Sequence, residues 1–184
     1  MESLYSFDEI LRAYQRQVAL PWQPDLPPAG RVWIIWYDKS MQRRFTARLS
    51  EFEHATLVAG HGWRQLDLAP SFGRWIASHE LFVPLLAQPA EIRGLRPEFE
   101  EHLAGLVEEQ LLACTGADVL AVDGCGALFG FARISTLVSR VATAIRGRML
   151  IGFPGKYSAG VYRLLDARDG WNYHAVPIPP DSPQ

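Results

Sequence analysis

Three short segments, residues 31–37 (RVWIIWY), 118–123 (DVLAVD) and 148–153 (RMLIGF), are nearly unbroken runs of apolar and β-branched residues. A strand with one wet face alternates apolar and polar side chains. A continuous apolar run instead marks a strand covered on both faces, as in a parallel sheet sandwiched by helices. The segments between these runs carry the helical period that such a sandwich needs. Phe7, Ile10, Leu11, Tyr14 and Val18 form one stripe behind the capping-box pair Ser6 and Glu9. Phe45, Leu49, Phe52 and Thr56 form another, behind the capping residues Asp38 and Ser40. A third stripe, Phe99, Leu103, Leu106, Val107 and Leu111, lies between Pro97 and Gly116, with Glu98, Glu100, Glu101, Glu108 and Glu109 expected on the solvated face. Ile134, Leu137, Val138, Val141 and Ile145 form a fourth.

Residues 63–68 alternate as a second strand would, and residues 70–86 read as one or two short helices. Pro154 and Gly155 are expected to break the strand at 148–153. Segments 161–166 and 171–176 are expected to pair as a hairpin about Asp169 and Gly170, a favoured tight-turn pair. Pro21, Pro24, Pro27 and Pro28 make residues 21–30 an extended connector. The expected organisation is an N-terminal helix (1–20), that connector, one α/β domain (31–178) and an unstructured tail (179–184). Its fold class is a three-layer α/β sandwich: a mostly parallel central sheet, helices on both faces and an edge hairpin, in a degenerate P-loop-like or Rossmann-like architecture.

With 48% hydrophobic and 21% charged residues, the chain is not of a disordered class. A formal net charge of −2 gives the whole molecule no electrostatic footprint for nucleic acid or an anionic membrane. Cys114 and Cys125 form no CxxC pair, no apolar run approaches ~18 residues, and MESLYSFDEI lacks the basic and apolar regions of a secretory leader. A cytoplasmic location and no membrane association are expected.

Ligands of a doubly wound sheet sit outside the carboxyl ends of its strands, so Asp38, Asp123 and the 153–157 segment are where chemistry belongs. DVLAVD ends in Asp123 as a magnesium-holding strand of a P-loop NTPase would, but such a carboxylate works beside a GxxxxGK[ST] cradle. The pair Gly155-Lys156 has Leu150 where the first glycine belongs and Tyr157 where Ser or Thr belongs. Asp123 is therefore expected to end its strand or cap the next turn. Gly124-Cys125-Gly126 begins a dinucleotide fingerprint but continues Ala127, Leu128, Phe129, and Thr143, Ala144 and Ile145 stand where the ribose acid belongs. The five histidines show no metal spacing, Ser78-His79-Glu80 lacks a GxSxG elbow, and Cys125 has no neighbouring base in sequence. No catalytic residue, cofactor or metal is expected, and the chain is expected not to be an enzyme.

The residues left for function are surface ones. Arg133 and Arg140, seven residues apart, share a helix face with Thr136 and Thr143. The segment Phe153, Pro154, Gly155, Lys156 and Tyr157 is read as an exposed strand-end loop with two aromatics and a lysine, a composition suited to a protein interface.

Four segments also carry a likeness. WIIWYD running into an Arg-rich helix, DVLAVDGCGALFGFARISTLV, MLIGFPGKY, and YRLLDARDGWNYHAVPI together resemble, in order, the BrxB component of BREX phage-defence systems. The similarity spans residues 31–178, with Phe153-Pro154-Gly155 and Asn172-Tyr173 through Ala175 the most specific matches. Lys156 departs from an acidic position of the pattern, and His174 stands where the family has Tyr. The resemblance implies a small non-catalytic antiviral scaffold or adaptor. Its partners would be an alkaline-phosphatase-like PglZ protein, an adenine methyltransferase and an AAA+ ATPase, with nucleic acid contacted only indirectly. A homo-oligomer and a nucleotide- or nucleic-acid-binding effector, with a P-loop-like fold that lacks Walker A and uses Asp123 with Lys156, are the alternatives.

Overall fold

The computed structural model describes residues 5–165 and 171–180. Along the chain the elements are α1 (Phe7–Val18), β1 (Val32–Tyr37), α2 (Gln42–Ala47), α3 (Leu49–Val58), β2 (Gly62–Asp67), α4 (Ser71–Ser78), α5 (Phe82–Ala87), α6 (Arg96–Leu112), β3 (Asp118–Asp123), α7 (Ile134–Val141), β4 (Arg148–Ser158), β5 (Val161–Leu164), β6 (Trp171–Asn172) and β7 (Val176–Ile178). Five strands form an open sheet in the order β2-β3-β4-β1-β7, each pair parallel.

Both faces of this sheet are covered, as the continuous apolar runs require. Val32, Ile34 and Trp36 of β1, Leu120 and Val122 of β3, and Met149, Ile151 and Phe153 of β4 point into a core with α4, α6 and α7. The alternate residues Trp33, Ile35, Tyr37, Val119, Ala121 and Leu150 point into a second core with α1, α2 and α3. The N-terminal helix is thus a wall of the second core. Its Ser6–Glu9 capping box forms, and buried Tyr14 donates a 2.6 Å hydrogen bond to Thr56 Oγ1, whose own hydroxyl is spent on the Phe52 carbonyl.

The proline-rich connector is pinned to the amino end of the sheet. Arg31 donates to the carbonyls of Pro24, Leu26 and Ile145. Arg148, 4% exposed, lies over the rings of Trp22 and Trp33 and donates to the carbonyls of Gln23 and Gly147. Trp22 in turn stacks on His61 at 3.6 Å.

Four expectations are corrected. The helix expected after Asp38 is two, α2 and α3, separated at Arg48 where the backbone leaves the helical region. Pro154 and Gly155 do not break β4, which runs through Ser158 and changes partner at that point, from β1 in parallel to β5 in antiparallel. Pro154 stays in the ladder as an acceptor, its carbonyl receiving Leu165 N at 2.8 Å. Gly155 is required there because a Cβ would strike the Arg163 carbonyl. The hairpin of β5 with β6 is present; its Asp169 and Gly170 turn lies outside the described residues. A tighter hairpin precedes it, joining β4 to β5 through Ala159 and Gly160, both at positive φ.

The tail is also partly built in. After β7, Pro179 is buried and its carbonyl accepts from Trp36 Nε1 at 2.8 Å, while Pro180 accepts from the Tyr5 hydroxyl. The acidic face of α6 has one member turned inward. Glu100, 8% exposed, accepts from Arg133 N at 2.9 Å and so caps α7 from a neighbouring helix. Among the described residues no helix is long and apolar enough to cross a membrane.

Candidate functional site at the carboxyl end of the sheet

β2 and β3 end side by side in Asp67 and Asp123, and β1, on the far side of β4, ends in Tyr37-Asp38. Asp123 is 3% exposed. Its Oδ2 accepts from Thr46 Oγ1 at 2.8 Å and its Oδ1 from Gln42 Nε2 at 3.3 Å, both donors lying on α2. Gln42 Oε1 accepts from the Tyr37 hydroxyl at 3.0 Å, and the Tyr37 ring stacks on Phe45 at 4.4 Å. Gly152 admits this cluster, because a Cβ would lie 2.7 Å from the Phe45 ring and 3.2 Å from Asp123 Oδ1. Asp38 turns the other way and caps the 3-10 turn Lys39–Met41, accepting from Ser40 N and Oγ. Those bonds hold its carboxyl below the usual carboxylate range.

The glycine turn after β3 is packed against protein. Gly124 has φ +78°, and a Cβ there would meet Ala69 N and Asp67 Oδ1. A Cβ at Gly126 would lie 3.1 Å from Pro154 Cγ, with Gln42 Oε1 and Leu165 Cδ2 beyond. Between them Cys125 is fully buried, and burial, reinforced by Asp123 and Asp67, pushes its thiol far above the ordinary range. Glycines that open a phosphate cradle leave room for a ligand. These glycines leave room for Ala69, Pro154 and Gln42. Among the described residues no three His, Cys, Asp or Glu side chains converge as a metal site would need.

The 153–157 segment is a strand and not a loop, so its residues divide between faces. Phe153 is buried beside Tyr162, with ring centroids 5.8 Å apart, and Pro154 and Gly155 are buried with it. Lys156 is exposed, opposite the equally exposed Arg163 of β5. A like-charged cross-strand pair destabilises a ladder slightly, and it leaves this face of the hairpin cationic. Tyr157 is half-buried on the other face, 4.5 Å from Tyr162 and 6.1 Å from Trp36. The rings continue through Trp171, 5.6 Å from Tyr162, to Tyr173, 5.2 Å further on. Tyr157, Trp171 and Tyr173 are each half-buried. The Tyr162 hydroxyl within this band is buried with no hydrogen-bond partner.

Arg133 and Arg140 are exposed at the two ends of α7. Among the described residues no hydrogen bond, ion pair or ring contact joins either to the strand end. Sequence reasoning missed Gln42 and Thr46 as the partners of Asp123, and Trp36, Tyr162, Trp171 and Tyr173 as neighbours of Tyr157. The second group carries a readable signal in the aromatics at 157, 162, 171 and 173, spaced about two turns. Compared with protein-family models, with curated proteins and with solved structures, the chain matches none of them.

Proposed function

We propose that the chain is a non-catalytic scaffold or adaptor of a BREX antiphage defence system. It would capture partner proteins, namely the PglZ-like protein, the adenine methyltransferase or the AAA+ ATPase, through the β4–β5–β6 strand end. The observation that carries this reading is the packing of the carboxyl end. Asp123 is occupied by Thr46 and Gln42, and the glycine turn is pressed on Ala69 and Pro154, whereas beside it the rings of Tyr157, Trp171 and Tyr173 stay half-exposed and the cations Lys156 and Arg163 are exposed. Aromatic and arginine side chains are the usual anchors of protein interfaces, where one truncation at the centre costs about 2 kcal/mol or more. The resemblance of the same segments to BrxB supplies the class of partner.

Co-purification from cells carrying the partner proteins tests this reading. Lys156→Glu combined with Arg163→Glu, both exposed on the hairpin, is expected to abolish capture while the melting curve stays in place. Capture at the unaltered level would move the interface off this surface.

One observation favours a nucleotide- or nucleic-acid-binding effector as the second reading. Numbered along the chain, the parallel strands stand in the order 2-3-4-1-5. That order departs from the 3-2-1-4-5-6 and 2-1-3-4-5 arrangements of dinucleotide and flavodoxin-like folds, and it suits a P-loop-like sheet that lacks its cradle. Saturable micromolar binding of Mg-ATP by calorimetry, lost in Asp123→Asn, would establish this reading in place of the first.

A further inference from the structure

On the opposite side of the molecule from α1, a cleft of about 380 Å³ opens between α4, the 3-10 turn Pro89–Leu95 and the start of α6. Its walls include Phe72, Trp75, Phe99 and Phe131, and its rim carries Arg93 and Arg96. We propose that this cleft binds a small organic anion with a flat apolar body, of the aryl carboxylate class.

The size falls within the roughly 300–1,000 Å³ of ligand pockets. The walls are already ordered by one another. Phe72 and Phe131 stack at 3.8 Å and 15°, Phe72 meets Phe99 edge-on at 5.1 Å, and Trp75 lies 5.1 Å from Phe99. A planar apolar group entering such a cleft adds one more ring to an existing stack.

The charge at the rim is uncompensated. The side chain of Arg96 makes one described hydrogen bond, a 3.3 Å contact to the Gly130 carbonyl, and its Nε is buried without an acceptor. Arg93 makes no described side-chain hydrogen bond or ion pair. The acids nearby are committed elsewhere or stand apart: Glu98 accepts from His79 at 3.1 Å, Glu100 caps α7, and exposed Glu91 is paired with neither arginine. Leu95, at the cap position of the 17-residue helix α6, supplies no side-chain hydrogen bond, and the one acid in the first turn of that helix, Glu98, is engaged by His79. A neutral apolar ligand would desolvate the guanidinium with nothing in return. A bare inorganic anion would leave the aromatic walls wet. A ligand with both parts meets both demands.

Titration calorimetry on the full chain tests the assignment with three probes: 3-phenylpropionate, its neutral amide and inorganic phosphate. The expected result is saturable binding of the carboxylate, at least tenfold weaker binding of the amide, and none of phosphate in the same range. Arg96→Gln should weaken carboxylate binding tenfold or more. Ile92→Trp, which fills the cleft from its lining, should abolish binding without lowering the melting temperature. Equal binding of the amide or of phosphate, insensitivity to either substitution, or no binding of the carboxylate at millimolar concentration would each overturn the proposal.

Discussion

The two ends of the parallel sheet bury opposite charges and hold them by different means. At the amino end the charge is Arg148, stacked over Trp22 and Trp33 and bonded to backbone carbonyls of Gln23 and Gly147. At the carboxyl end it is Asp123, held by the side chains of Thr46 and Gln42. A cation that takes its acceptors from the backbone fixes the path of the chain, and the 21–30 connector is accordingly part of the fold. A carboxylate that takes its donors from side chains fixes only those side chains, and the chain path around it has to be set by something else. At this end it is set by glycines, Gly124 and Gly152, each filling a space too small for a Cβ, with Gly126 packed tightly on Pro154. Buried charge is costly unless bonded, and the molecule meets that cost at one end with main chain and at the other with close packing.

The sharpest way to break this contrast is Gly124→Ala. The left-handed conformation costs about 1–2 kcal/mol and overpacking against Ala69 and Asp67 a further ~1–3 kcal/mol, so urea unfolding should show a loss of about 3 kcal/mol. An unchanged midpoint would mean that close packing does not set the carboxyl end. Arg148→Ala should cost about 2 kcal/mol through its charged hydrogen bonds and ring contacts, and it should expose the 21–30 connector to limited proteolysis. Arg148→Lys, a point charge without the planar fork, should restore only part of that protection; full protection would reduce the amino end to a matter of charge alone.

The smallest effect is a pH dependence. Burial, followed by the Arg148 cation, holds the His61 imidazole below its ordinary value of 6.5. The unfolded chain therefore binds more protons than the folded one in the interval beneath that value, and stability rises with pH across it. His61→Gln should flatten the denaturation midpoint between pH 5 and 7.5. A variant as steep as the parent would assign the slope to another group.

Element types were legible wherever one residue pattern decided them. The runs 31–37, 118–123 and 148–153 read as doubly covered strands because their apolar residues are nearly unbroken, and residues 63–68 read as a strand by alternation, which the structure places at Gly62–Asp67. What was not legible depends on partners remote in sequence. Pro154-Gly155 has the composition of a breaker, and only the approach of the Arg163 carbonyl explains why a strand runs through it. Val176–Ile178 holds a proline, which demotes a strand reading in isolation, yet β7 pairs with β1 alone, at the edge of the sheet where proline is tolerated. Glu100 looks like its acidic neighbours on α6 until α7 brings Arg133 N against it. Asp123 was placed correctly at its strand end from local pattern, but its donors come from 77 and 81 residues away, beyond what spacing can convey.

β4 belongs to two pairings at once, central in the parallel sheet and then the first arm of the hairpin, without a joint between them. A pull on the hairpin would therefore be borne in shear by the ladders that β3 and β1 form on either side of one continuous rod. Any protein gripping that projection takes hold of the middle of the molecule and not of a swinging appendage, so orientation imposed at the grip is transmitted undamped to the rest of the body.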